Sequence, residues 1–174
     1  MSFAENSSHL LVNHDRYLGI DPGLNRTGYA VIERRDSGPY LIEGGILRST
    51  KDATLQHRVQ EIASGLQEVI EELQPDVAAI EEVFSHVQNP KTAILMAHAR
   101  GGILLTLANA KMTTVNYAPT QIKRLLTGSG RASKEQIQHA VKIELKLDKI
   151  PEPNDVADAA AIALCLYHSV KFAV

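Results

Sequence analysis

Residues 17–34 read YLGIDPGLNRTGYAVIER, and the fold turns on how that stretch divides. Tyr17–Asp21 is a short apolar run stopped by Pro22-Gly23, and Gly28–Arg34 is a second run rich in aromatic and β-branched residues. Apolar runs of this length bounded by turn residues predict strands. Asp36–Pro39 supplies a further turn, after which Tyr40–Leu47 predicts a third strand pairing back antiparallel.

Downstream the period changes. From Ala53 to Leu73 the apolar positions Leu55, Val59, Ile62, Leu66, Val69, Ile70 and Leu73 recur at steps of three and four, which predicts an amphipathic helix. Gln74-Pro75 ends it, and Val77–Val83 (VAAIEEV) reads as a buried strand. A second helix is predicted over Lys91–Ala110, closed by Lys111, whose charge suits the negative helix end. Gly101-Gly102 inside it costs about 1 kcal/mol per glycine relative to alanine, so a neighbour, such as a partner helix, is expected to approach that backbone closely. Thr113–Tyr117 predicts a strand, Pro119–Leu126 a short helix and Thr127–Ala132 (TGSGRA) a flexible loop. Ser133 with Gln136 forms a capping-box pattern opening a helix to Leu147. After the break at Pro151–Pro153, Asn154 or Asp155 caps a last, alanine-rich helix to Lys171. The order βββαβαβ followed by helices predicts an α/β fold: a mixed five-stranded sheet flanked by helices on both faces. It forms one domain over residues 16–174 behind a flexible tail at residues 1–15.

Composition narrows the class. The chain has 174 residues, 44% of them hydrophobic and 22% charged, which excludes a mostly disordered protein. A single cysteine, Cys165, excludes a disulfide scaffold and points to a reducing compartment. Apolar runs fall short of the roughly 20 residues of a bilayer span, and residues 1–16 lack a secretion signal pattern. A cytoplasmic protein with no membrane partner is expected. The net charge of −2 hides an asymmetry: residues 111–149 carry 8 Lys/Arg against 3 Asp/Glu, while residues 1–110 carry 9 against 14. A basic segment between acidic ones suits a phosphate-contacting surface beside a cation-binding pocket.

Several carboxylates stand where carboxylates are expensive. Asp21 ends an apolar strand, Glu81 and Glu82 interrupt another, and Asp155 and Asp158 flank Val156-Ala157 at the head of an otherwise aliphatic helix. Functional groups gather at the carboxyl ends of central strands; Asp155 and Asp158, three apart, share one helix face. Asp21 also suits a turn, Asp155 a cap and Asp158 a first-turn charge, and strand alternation sends Glu81 and Glu82 to opposite faces without saying which belongs to a site. Clustered carboxylates repel one another, and divalent cations remove the conflict; Mg²⁺ prefers such oxygen ligands. Two ions about 4 Å apart can clamp an in-line phosphoryl displacement. No Ser-His-Asp or Cys-His set competes: Cys165 lies in an apolar helical run, and the seven histidines show no metal-ligand spacing.

With those residues in place, the chain resembles the RuvC family of Holliday-junction resolvases in the ribonuclease H-like superfamily. The matching stretches are GIDPGLNRTGYAVI, QPDVAAIEEVF, HARGGILL, YAPTQIKRLLTGSGRASKEQIQHAV and NDVADAAAIAL, in family order and spacing from Tyr17 to His168. The resemblance implies a metal-binding catalytic tetrad of Asp21, Glu81, Asp155 and Asp158, selecting Glu81 over Glu82. Two Mg²⁺ ions per site are expected, with the choice between Mg²⁺ and Mn²⁺ left open by the sequence. The resemblance places Phe84 against unpaired bases, where stacking is worth roughly 1–3 kcal/mol per base, and Lys123 and Lys134 close to the scissile phosphate, with Arg124 and Arg131 beside them. The implied activity is hydrolysis of phosphodiesters in two opposed strands of a four-way DNA junction during recombination and repair. A homodimer is implied, the glycine-bearing helix lying at its interface, as is a branch-migration motor complex as partner. The alternatives are a related nuclease acting on RNA or simple duplexes and a junction-binding module without turnover. An actin-like ATPase is disfavoured, because the chain is too short for a second lobe.

Overall fold

The backbone ladders divide the chain where its turn residues do. In a computed structural model, which describes residues 15–82 and 90–171, β1 (Arg16–Asp21) and β2 (Arg26–Arg35) pair antiparallel, and β3 (Gly38–Arg48) folds back on β2. The second turn is tighter than its sequence suggests. Gly38 holds φ at +108°, a conformation L side chains rarely adopt, and already pairs with Arg35. Next come α1 (Leu55–Leu73), β4 (Val77–Glu81), α2 (Pro90–Asn109) and β5 (Thr113–Tyr117), followed by α3 (Pro119–Thr127), α4 (Lys134–Glu144) and α5 (Asn154–Lys171). β4 runs parallel to β1, and β5 parallel to β4. The five strands lie in the order β3-β2-β1-β4-β5, the mixed sheet that the element order predicts.

Strand alternation sorts the sheet's side chains into two cores. Leu18, Ile20, Ala78 and Ile80 pack with Ile62 and Leu66 of α1 and Ile103 and Leu107 of α2. Tyr17, Val77 and Ala79 face the other way, towards α3, α4 and α5. Each fully buried Leu or Ile contributes about 1.5–3 kcal/mol. By the same alternation Asp21 and Glu81 belong to the α5 face, and Glu82 does not.

α5 approaches that face more closely than a helix normally can. A Cβ on Gly19 would overlap the carbonyl oxygen of Ala159 and lie 2.8 Å from Ala163 Cβ. A Cβ on Gly28 would overlap the carbonyl oxygen of Asp155. Glycine on the sheet and alanine on the helix thus let α5 lie directly on β1 and β2, with Ala157, Ala159, Ala160 and Ala163 fully buried.

Some boundaries differ from the sequence reading. β4 ends at Glu81, not Val83, which lies outside the described residues. α4 stops at Glu144, short of Leu147, because Lys146 turns left-handed (φ 53°) and the Leu147 N–H returns to Lys142 O at 2.9 Å. The Ser133–Gln136 capping box forms: Gln136 N–H donates to Ser133 Oγ (3.2 Å), and Ser133 N–H to Gln136 Oε1 (2.8 Å). Gly102 has its explanation within the chain, since a Cβ there would meet Val59 Cγ1 of α1 at 2.7 Å, whereas Gly101 faces open space. Of the tail, residues 1–14 and whatever flexibility they have lie outside the described residues. No helix among the described residues is long and apolar enough to cross a membrane.

Candidate active site

Three pieces of local structure deliver acids to one end of the sheet. β1 ends on Asp21 and β4 on Glu81, one step past the last ladder pair of those adjacent parallel strands, Ile20↔Ile80. Neighbouring strands lie about 4.8 Å apart, so the two carboxyls start from adjacent points on the α5 face. α5 brings the rest. Asp155 sits against Gly28, which itself pairs with Asp21, and Asp158 lies one turn further along the helix.

Their electrostatics show the crowding. Asp21 is lifted from 3.8 to about 8, first by burial and then by Glu81, Asp158 and Asp155. Glu81 rises from 4.5 to about 7 through burial and Asp158, opposed by Lys123 and Lys134. The two acids of α5 have cationic partners instead. Lys134 Nζ donates to Asp158 Oδ2 at 2.8 Å, which with the fields of Asp21 and Asp155 holds the ammonium above its usual range. Arg26 Nε lies 3.6 Å from Asp155 Oδ2.

Two cavities flank these acids. One, of about 250 Å³, is lined by Glu81, Asp158, Lys123 and Lys134 over a floor that includes Ile122 and Ile137. The other, of about 290 Å³, lies between the β1–β2 loop and the start of α2, with Asp155 and Arg26 on its wall. The structure therefore brings together Asp21, Glu81, Asp155, Asp158, Lys123 and Lys134. Arg124 and Arg131 are exposed and do not line the first cavity, and Phe84 lies outside the described residues. Among the described residues, no three His, Cys, Asp or Glu side chains are gathered tightly enough to hold one ion as they stand.

Two residues at this end escaped the sequence reading. Arg26 drew no reading from the sequence, because its partner Asp155 lies far along the chain. Arg100, in HARGG, donates from Nε to the backbone carbonyl of Glu81 at 3.2 Å and from Nη2 to Asn116 Oδ1; an arginine midway along a largely apolar helix was the available signal.

The raised carboxyls set a pH dependence. Asp21 and Glu81 bind protons more tightly folded than unfolded, so the folded state carries the extra protons between their ordinary values and about 8. Stability then falls as pH rises through that window. One pKa unit is worth about 1.4 kcal/mol, and the expected loss for metal-free protein is on the order of a few kcal/mol. Calorimetry should show the melting temperature dropping from about pH 5 to pH 8 and levelling beyond. A melting temperature that climbs through this window contradicts the crowding.

The sequence model of the family described as "Crossover junction endodeoxyribonuclease RuvC" matches residues 17–166. The crossover junction endodeoxyribonuclease RuvC of Rhodopirellula baltica is 53% identical over 148 residues, covering 85% of this chain and 83% of that protein. That of Desulforamulus reducens is 45% identical over 85% of this chain and 90% of its own. The structure of Thermus thermophilus RuvC in complex with a Holliday junction substrate superposes with a TM-score of 0.83 at 30% identity, covering 91% of this chain and 97% of that one. Identity of this order, along nearly the whole length of the relatives, leaves one conclusion. The chain belongs to the RuvC family of crossover junction endodeoxyribonucleases.

Proposed function

We propose that residues 16–174 form one nuclease domain that cuts two opposed strands of a four-way DNA junction, symmetrically and as a homodimer. The family implies divalent-metal dependence, and the donor set fits it. Carboxylate oxygens suit a hard dication such as Mg²⁺, and the ends of β1 and β4 meet the first turn of α5 so that four acids converge on one place, with Asp21 and Glu81 raised by burial first and by their acidic neighbours second. That observation carries the proposal. Asp21, Glu81, Asp155 and Asp158 would hold two Mg²⁺, with Mn²⁺ as a substitute. When bound, the ions supply an activated water and charge neutralisation at the departing 3′ oxygen, and the ends left are 5′-phosphate and 3′-hydroxyl. Lys134 shifts its ammonium from Asp158 to the arriving phosphate, and Lys123 adds a second cation on the same cavity wall. Phe84 contacts the bases at the crossover; Arg124 and Arg131 contact backbone phosphates further out.

The test is an end-labelled immobile junction offered beside linear duplex and RNA–DNA hybrid, with and without Mg²⁺. Paired nicks confined to the junction and requiring the metal are expected. Equal cutting of linear or hybrid substrate overturns the junction assignment, and binding without cutting reduces the protein to a junction-binding module.

The dimer rests on α2. One face is buried through Ala99, Ile103 and Leu107, yet Ile94 (57% exposed) and Leu105 (63% exposed) leave the opposite face apolar too, with Gly101 open between them. A helix apolar on both faces needs cover on both, and two-fold pairing through this face would match a near two-fold junction. Leu105→Glu should shift the protein to monomer by sedimentation at micromolar concentration and abolish paired cleavage while the fold persists. An unchanged sedimentation coefficient removes this face from the interface. A branch-migration motor complex is the further partner that the family suggests.

A further inference from the structure

The carbonyl of Glu81 lacks the donor that its place in the sheet would normally give it. The Glu82 N–H donates to Tyr117 O at 2.9 Å, so the even-numbered residues at this end of β4 bond to β5. The polar backbone groups of Glu81 therefore face β1. In a parallel ladder continued one step beyond Ile20↔Ile80, the Glu81 carbonyl would accept from the N–H of residue 22. Residue 22 is proline and has no N–H. The ladder stops at Ile20↔Ile80, and the orphaned carbonyl belongs to the residue whose carboxyl enters the site.

Arg100 fills the gap. Its Nε donates to Glu81 O at 3.2 Å, and its Nη2 donates to Asn116 Oδ1. A guanidinium is a planar, always charged fork, so one side chain from α2 ties the end of β4 to the edge strand β5. The arginine is partly buried between Ala99, which is fully buried, and the open Gly101. Its Nε bond bears on the backbone that aims Glu81, its Nη2 bond anchors the guanidinium to Asn116, and neither engages the carboxylate.

We propose that Arg100 is a positioning residue for Glu81: it replaces the ladder bond that Pro22 removes and so fixes the carboxylate's direction towards the metal and the scissile phosphate. The inference rests on the nuclease reading. It adds a dependence between two distant motifs, the Asp21-Pro22 step and the arginine of α2. Groups that orient metal ligands from behind typically change metal affinity by about 10- to 100-fold when removed, and a similar figure applies here.

The experiment is Mn²⁺ binding to the full chain without DNA, by electron paramagnetic resonance, alongside Mg²⁺ titrations of junction cleavage. Arg100→Ala is expected to weaken Mn²⁺ binding about tenfold or more and to raise the Mg²⁺ needed for half-maximal cleavage in parallel, with activity recovering at high metal. Arg100→Lys, which keeps one donor, should fall between. Pro22→Ala restores an N–H facing the same carbonyl, so Pro22→Ala/Arg100→Ala should bind Mn²⁺ more tightly than Arg100→Ala alone. A purely structural arginine predicts lower melting temperature with unchanged metal titrations and no gain from Pro22→Ala; that result overturns the proposal. Should Arg100→Ala not fold, Arg100→Met, which keeps the length of the side chain and removes every donor, carries the same readout, and an unchanged Mn²⁺ affinity there is equally decisive. A wild-type protein that neither binds Mn²⁺ nor cuts junctions overturns the nuclease reading itself. Wild-type binding and cutting with an indifferent Arg100→Ala overturns only the arginine's role.

Discussion

Asp21→Asn is expected to abolish junction cleavage and, at the same time, to stabilise the metal-free protein. Asp21 feels Glu81, Asp158 and Asp155 together, and its carboxyl is lifted to about 8 by burial and their fields. An amide of the same shape removes the charge that makes the cluster expensive. It also removes an oxygen anion from the set proposed to hold the metals, whose stabilisation of transition-state charge is worth several kcal/mol. That corresponds to a cleavage loss of about 10³-fold or more, with junction binding nearly intact because Lys123 and Lys134 still line the cavity. Single-turnover cleavage, gel-shift binding in Ca²⁺ or EDTA, and calorimetry at about pH 8 measure the three effects. A gain in melting temperature with full activity would separate crowding from catalysis and take Asp21 out of the mechanism. Loss of both stability and activity would show that the carboxylate is a structural anchor.

That pairing of effects was half legible in the chain itself. An acid at the end of YLGID and two in VAAIEEV are visibly misplaced, and a period of two already says that Glu81 and Glu82 point apart. Choosing between them needs to know which face α5 covers. The structure answers through Gly19 and Ala159, a backbone contact with no signature in hydropathy. Helix α1 and the Ser133 cap were readable because they are local, the one a repeat of three and four and the other a four-residue motif. The end of α4 was not, because Lys146 adopts a left-handed conformation that glycine normally marks. Gly101-Gly102 signalled a close approach correctly at one position: Val59 of α1 meets Gly102, while Gly101 faces open space. Arg26 and Arg100 could not be tied to the site from sequence because their partners, Asp155 and the Glu81 carbonyl, lie 129 and 19 residues away. The basic stretch at residues 111–149 was a fair guide to location, though of its charges only Lys123 and Lys134 reach the first cavity.

The glycine contacts carry the second large effect, because they decide where Asp155 sits. Gly28→Ala would place a Cβ on the carbonyl oxygen of Asp155 and 2.7 Å from its carbonyl carbon. Neither atom is the end of a flexible side chain, so the first turn of α5 has to move. Overpacking of this kind typically costs about 1–3 kcal/mol, and a displacement near 1 Å at a catalytic group can cost about 10²-fold in rate. Gly44→Ala is the matched comparison. Its Cβ would meet Val156 Cγ1 at 2.6 Å, the tip of a side chain on the same turn of the same helix, and that tip can yield while the backbone of Asp155 stays put. Both variants should melt lower, Gly28→Ala more so, but only Gly28→Ala should lose cleavage at saturating metal, by roughly a hundredfold. Measuring kcat and melting temperature for the two side by side separates placement from stability. If activity tracks melting temperature equally in both, the contact at Gly28 serves the fold alone, and Asp155 is aimed by something other than the backbone beneath it.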